Sequence, residues 1–186
     1  AAADVYKRQN MDYDYCFNNN IYVLSTAPVF AQSVAEIAIG LTISLKREIH
    51  TAHLDFIQKK EKYGLESNKR SSLLLNNKIG IVGFGDLAKS LKPMLVPYTS
   101  DFRVYDPWLP NKLIEDNGCK PASLGKIFKN CEIDKVGVFG DVTSTLAASI
   151  SAKQSDLYLF HVESGLRSNN LSMPEERNRV MVDAIS

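Results

Sequence analysis

The stretch from Lys78 to Pro107, KIGIVGFGDLAKSLKPMLVPYTSDFRVYDP, constrains this chain more than any other. It reads as a strand, a glycine turn, a helix and a second strand closing on an acid. Lys78 to Val82 is a short apolar run that passes directly into Gly83-Phe84-Gly85-Asp86-Leu87-Ala88, a G-x-G-x-x-A turn. The first glycine allows the tight bend, the second lets backbone N–H groups approach a pyrophosphate, and the small third residue lets the helix pack on its strand. The helix then points its N-terminal partial positive charge at the ligand.

Context raises this turn above a glycine bend in any α/β protein. Phe102 to Tyr105 supplies the second strand, and Asp106 ends it about 20 residues past the turn, where the dinucleotide fingerprint places an acid. A carboxylate there can accept two hydrogen bonds from the adenosine ribose hydroxyls and repels a 2′-phosphate, so the residues point to NAD rather than NADP. The competing reading of Asp106 is an acid that opens the Asp106-Pro107 turn. The fold class that follows is α/β, a Rossmann-like doubly wound parallel sheet.

With 186 residues the chain is long enough for one good-sized domain or for pieces of two. A formal charge of +1 gives no electrostatic ground for a nucleic-acid or anionic-membrane partner. Neither an 18-residue uncharged span nor a signal-like segment is expected, which predicts no membrane partner and a cytoplasmic location. Cys16, Cys119 and Cys131 show no C-x-x-C spacing and read as plain thiols, with no metal site.

The chain opens on AAADVYKRQ, which resembles translated adapter sequence, so residues 1–10 are expected to be an artefactual or disordered tail. Ile21 to Leu24 reads as a short strand, within residues 11–27. From Pro28 the period changes. Phe30, Val34, Ile37, Leu41, Leu45 and Ile49 mark one face of a long helix reaching about Lys60, capped by Ser25 or Thr26. Ala35, Ala38, Ile39 and Ile43 widen the stripe and predict a helix sandwiched between two bodies. His50 and His53 read as a solvated face rather than metal ligands. Leu73, Leu74 and Leu75 are expected under the sheet. Beyond Asp106 come a short helix near Lys112 to Asn117, a turn at Gly118 and a helix capped by Ser123. Trp108 reads either as an adenine-pocket wall or as plain packing.

Over about residues 11–130 the segments STAPVFAQSVAEIAIGLTISLKREI, LLLNNKIGIVGFGDLAKSL, VYDPWLP and PASLGKIFKNC resemble the D-isomer-specific 2-hydroxyacid dehydrogenases, in order and spacing. The resemblance implies a hinge helix over 28–62, the first half of an NAD-binding domain over 63–131, and a remnant of a substrate domain over 11–27. It implies NAD contacts at Gly83, Gly85, Asp86, Leu87 and Asp106, and a homodimer through the nucleotide domain. That family transfers a hydride between NAD and a 2-hydroxy acid using an Arg, an acid and a His. None of the three has a match here, so no dehydrogenase catalytic residue is assigned.

From about Glu132 the text changes. GDVTSTLAA, HVESGLRS and MPEERNR resemble the non-hydrolysing UDP-N-acetylglucosamine 2-epimerases. Residues 132–186 also read locally as a strand (Lys135 to Phe139), a helix (Thr143 to Lys153), a strand (Leu157 to Val162) and a helix (Glu175 to Ile185), a βαβα segment. The resemblance carries acid/base roles onto Asp141, Glu163 and Glu175, with His161 and Arg167 beside them and a UDP-sugar as ligand. Without it, these residues read as strand-end caps and a surface salt-bridge helix. The combined expectation is a chimera joined near Asn130 to Ile133, without a complete catalytic cycle. The second segment is expected to extend the first sheet into one.

Overall fold

The computed structural model describes residues 12–24, 27–130, 133, 135–162 and 164–186. The expectations placed on residues 1–10, Ser25, Thr26, Cys131 and Glu163 therefore lie outside the described residues.

The first helix, α1 (Tyr13–Asn18), was not expected. Asp12 starts it by accepting the Tyr15 N–H at 2.9 Å. The strand expected at Ile21 to Leu24 is not formed. A strand needs a partner, and here Tyr22 and Leu24 are exposed and no strand among the described residues pairs with them.

The long helix is two helices, α2 (Ala27–Lys46) and α3 (Ile49–Ile57). Glu48 breaks them by taking a left-handed conformation, φ 55°, which stops helix propagation. The carbonyls freed at the end of α2 are met from outside: Ser72 N–H reaches Lys46 O at 2.7 Å and Lys135 Nζ reaches Leu45 O at 2.9 Å. The buried face also differs from the expected one. Ala31, Ala35 and Ala38 are buried, whereas Phe30, Ile37 and Ile49 stand more than half exposed. The alanine stripe lies against α5, because small side chains permit close helix contact and large ones do not. By length and composition α2 is apolar enough to cross a membrane; its internal charge, Glu36, lies on the exposed side.

After a short α4 (Leu65–Asn68) the chain enters the expected alternation: β1 (Ile79–Val82), α5 (Asp86–Leu95), β2 (Phe102–Tyr105), α6 (Asn111–Asp116), β3 (Lys120–Pro121) and α7 (Leu124–Asn130). Ser123 Oγ accepts the Lys126 N–H at 3.3 Å at the start of α7. β1 pairs in parallel with β2, Ile79 opposite Phe102, and β2 with β3, Arg103 opposite Lys120. Of the three leucines only Leu74 is buried, within a core of Phe84, Leu95, Phe102, Val104 and Ile114.

The second segment forms β4 (Lys135–Phe139), α8 (Thr143–Gln154), β5 (Tyr158–Val162) and α9 (Pro174–Ile185). β4 and β5 pair in parallel from Lys135–Tyr158 to Phe139–Val162. The expected single sheet is not observed among the described residues: hydrogen bonding gives one sheet ordered β1-β2-β3 and another, β4-β5. The second sheet has its own core of Val138, Ala152, Leu159 and Val182, so it does not need a ladder to β1 to bury its apolar face. α7 touches both halves. Ile127 seats on β1 where Gly80 leaves room, since a Cβ on Gly80 would lie 2.6 Å from Ile127 Cγ2, and Phe128 packs on the second core. Both segments are thus parallel α/β units with helices on the strands, the doubly wound class read from the sequence.

Candidate dinucleotide-binding site

The three special positions of the glycine turn have three separate physical reasons. Gly83 has φ +85°, a conformation that L side chains avoid, and its N–H donates to Tyr105 O at 2.8 Å, locking the turn against β2. Ala88 packs partly buried against the first core, where a larger residue would lift α5 off the sheet. Gly85 is different. Its φ is an ordinary −78°, and a Cβ there would meet nothing within 4 Å. Neither backbone strain nor packing within the protein requires glycine, so the space is open for a ligand, as a pyrophosphate cradle needs.

Gly85 is the N-cap of α5 and has no side chain to bond the first N–H groups of that helix. Asp86 and Leu87 follow, both exposed. The first ladder bond of α5 runs from Lys89 N–H to Gly85 O at 3.0 Å, which leaves the N–H groups of Asp86, Leu87 and Ala88 facing outward at the positive end of the helix. Asp86 places a carboxylate at the same end.

Asp106 lies beside the turn, not simply near it in sequence. Its Oδ2 accepts the Phe84 N–H at 2.8 Å, while Oδ1 accepts the Trp108 N–H at 2.9 Å and the Leu109 N–H at 3.0 Å. Burial pushes this carboxyl upward, but the three N–H donors and the Lys89 charge outweigh it and hold it below the usual range. Both sequence readings of Asp106 therefore meet: it caps its own turn through Oδ1 and faces the glycine turn through Oδ2. Phe84 is the residue the sequence reading missed; its 1% exposed ring anchors the turn in the core. Trp108 is 84% exposed, which excludes a packing role, and its contribution here is the backbone donor.

A cavity of about 310 Å³ adjoins Asp106 between the C-terminal ends of β2 and β3, lined by Tyr105, Asn111, Ser123 and Lys126 among others. A slightly larger one, about 370 Å³, lies at the opposite end of the strands beside Asn76, Thr99 and Gly118. Open parallel sheets bind ligands at their C-terminal ends, so the first of these is the relevant one.

At the corresponding end of β4 and β5 a second polar cluster forms. Asp141 is 1% exposed and pairs through Oδ2 with Arg179, and Asn178 Nδ2 donates to Asp141 O at 2.9 Å. Arg179 also reaches Glu176 at 2.8 Å. Glu176 in turn accepts the N–H groups of Ser168 and Asn169 at 3.0 and 3.1 Å, and these, the Ser168 bond foremost, hold its carboxyl below the usual range against the opposing effect of burial. The acid that joins this network is Glu176, the neighbour of the half-buried Glu175. His161 and Arg167 converge on Asp183: His161 Nδ1 lies 2.5 Å from Oδ1, and Arg167 Nη1 and the Gly165 N–H bond Oδ2 at 2.6 and 2.9 Å. The other ring nitrogen of His161 faces the Gly140 carbonyl at 2.9 Å. Burial raises the Asp183 carboxyl, yet these donors together drive it far below the usual range.

Comparison with known proteins separates the same two segments. Residues 121–186 match the UDP-N-acetylglucosamine 2-epimerase family. Fifty-two residues are 46% identical to UDP-2,3-diacetamido-2,3-dideoxy-D-glucuronate 2-epimerase of Pseudomonas aeruginosa, a match covering 28% of this chain and 15% of that protein. Hydroxypyruvate reductase of Thermotoga maritima is 30% identical over 124 residues, covering 66% of this chain and 38% of the reductase. The chain thus spans much less than two thirds of either relative. Among solved structures, a phosphoglycerate oxidoreductase from Rhizobium etli superposes with a TM-score of 0.66 at 26% identity, over 95% of this chain and 71% of the other. The two family matches do not abut near residue 131 but overlap across 121–137. Over residues 39–137, more than half its length, the chain matches the NAD-binding domain of the D-isomer specific 2-hydroxyacid dehydrogenases, and it belongs to that family.

Proposed function

We propose that this chain binds NAD at the Gly83–Leu87 turn, with the pyrophosphate on the backbone at Gly85, Asp86 and Leu87 and the adenosine ribose at Asp106. The observation that carries this reading is the 2.8 Å bond from Phe84 N–H to Asp106 Oδ2, which ties the turn and an acid 22 positions later into one site. The open space at Gly85 supports it. Bound NAD supplies a hydride acceptor, and the oxidoreductase chemistry of the family is oxidation or reduction at a 2-hydroxy acid. The residues here support cofactor binding rather than turnover, because no Arg, acid and His set matches the family's catalytic residues. A cytoplasmic location fits such a role, and so does a homodimer built on the nucleotide half, whose α2 and α3 expose Phe30, Ile37, Phe56 and Ile57.

A second reading, a UDP-sugar site at Asp141, Glu163 and Glu175, has one specific observation in its favour. Asp141 Oδ1 is buried with no hydrogen-bond partner among the described residues, and a buried acceptor left this way calls for a ligand or water. Titrating NADH into the purified chain while following nicotinamide fluorescence separates the two readings. Saturable enhancement that NAD reverses and UDP leaves unchanged is the expected result; reversal by UDP, or no enhancement, removes the dinucleotide reading.

A further inference from the structure

The larger cavity, about 370 Å³, opens where the strands of the first sheet begin, walled by the loops that enter β1, β2 and β3 at Asn76, Thr99 and Gly118. The length of a four-residue strand, about 13 Å, separates it from the glycine turn. Among its described lining residues only Lys92, on the last turn of α5, carries a charge. The ammonium lies 5.5 Å from the centre of the Phe102 ring and, among the described residues, has neither an ion pair nor a hydrogen bond. The acceptors at the ends of these elements are already in use. Leu95 O at the end of α5 takes the N–H groups of Tyr98 and Thr99 at 2.9 and 3.2 Å, and Ile114 O and Glu115 O in α6 take those of Cys119 and Gly118 at 3.2 and 2.8 Å. Asp101, the acid just before β2, is held by Lys120 at 2.9 Å and Arg103 at 3.3 Å.

We propose that this cavity binds a small organic anion, an apolar body carrying one carboxylate, at a site separate from the dinucleotide. Lys92 supplies three N–H donors and has no protein acceptor to release first. Phe102, 2% exposed, is fixed in the core, and its ring face holds the ammonium at the cavity wall. Gly118 keeps that ammonium uncovered, since a Cβ there would lie 3.5 Å from Nζ. Thr99 adds a second donor: its Oγ1 accepts the Asp101 N–H at 3.1 Å, which leaves its own hydrogen to give. The apolar body is called for by Leu75 and Val96, each 51% exposed on the lining, which an apolar group would cover and a bare phosphate would not. The volume lies at the small end of ligand pockets and suits a body of about one ring. A single cation, in turn, matches a monoanion better than a dianion.

The test is amide NMR of the full chain titrated with phenylacetate, its neutral isostere phenylacetamide, and inorganic phosphate, with and without NADH. Phenylacetate is expected to shift the amides of Thr99, Ser100 and Gly118 saturably and to bind roughly ten- to a hundredfold more tightly than phenylacetamide, the difference made by one charge-assisted bond. NADH should leave that titration unchanged. Lys92→Met keeps the stem on Phe102 and should lose the preference for the acid, whereas Lys92→Arg should retain it. Equal affinity for acid and amide overturns the inference, and so does the absence of a shift at all three amides. Phosphate binding as tightly as phenylacetate also overturns it, by making this a simple ion site, as does displacement by NADH, which would put the anion at the glycine turn. Acid and amide are compared on the parent chain, so the outcome does not depend on whether Lys92→Met folds.

Discussion

Gly83 and Gly85 are glycines for unrelated reasons, and substitution separates them. Gly83→Ala puts a side chain at φ +85° and should cost about 1–2 kcal/mol of stability. Gly85→Asp meets no protein atom within 4 Å and supplies a favourable N-cap, so its melting temperature should be unchanged or slightly higher. It also puts a carboxylate where a pyrophosphate would lie, and NADH affinity should fall at least tenfold. Thermal melts and NADH titrations of both variants check this, and undiminished affinity in Gly85→Asp would place the phosphates elsewhere. At this scale the sequence was informative wherever a residue type has one dominant backbone use. The glycines and Asp106 were legible because a turn after a strand and an acid ending the next are local patterns. Phe84 and Glu176 were not. Phe84 acts through a backbone N–H that every non-proline residue has, and Glu176 differs from Glu175 only in the side of α9 that it occupies.

Elements were legible in kind and less so in contact. A three- and four-residue period found the helix beginning at Ala27, but the period fits the alanine face and the Phe30–Ile37 face alike, and only the approach of α5 decides between them. Likewise Glu48 is unremarkable in sequence, and the carbonyls that its φ of 55° frees at the end of α2 find their partners in Ser72 and Lys135, both distant in the chain. One joint between elements in the second segment is Asp183, which holds α9 to β5 and to the loop at Gly165. Its carboxyl lies below the usual value in the folded chain. The stabilisation is therefore fully present above the unfolded carboxylate value of about 3.9 and is lost as pH falls from there through the folded value. Asp183→Asn should cost about 1.5–3 kcal/mol at pH 7, the scale of a charge-assisted bond, with the gap to the parent chain narrowing below about pH 4. Urea unfolding at both pH values measures it. A gap that stays constant would mean that Asp183 contributes by shape rather than charge.

At the scale of the whole molecule, the two segments keep separate sheets and separate cores, yet the dehydrogenase superposition runs through both. The overlap of the two family matches at 121–137 runs from the end of β3 through α7 to the first three residues of β4, which is the stretch where a doubly wound chain passes from strand to helix to strand. A shared local order lets one text serve both patterns, and for the same reason the sequence could not tell whether β4 joins β1 or starts a sheet of its own. Among the described residues, side-chain contacts that join the halves include Ile127 and Phe128 on α7, and Lys135. The Lys135 ammonium bonds Leu45 O at 2.9 Å, lies 3.7 Å from Glu48 and stands 5.7 Å over the Tyr158 ring, with its side chain 15% exposed. Lys135→Met keeps the apolar stem and removes the charge from the C-terminal end of α2, a loss of about 1–2 kcal/mol concentrated at the joint. The parent chain is expected to unfold in one calorimetric transition that saturating NADH raises, by about 2.7 kcal/mol at a hundredfold excess over Kd. In Lys135→Met the transition should split, NADH raising the part that contains the glycine turn and leaving the β4–β5 part in place. A single transition that NADH still raises in Lys135→Met would assign the coupling to α7 alone, where Gly80 admits Ile127.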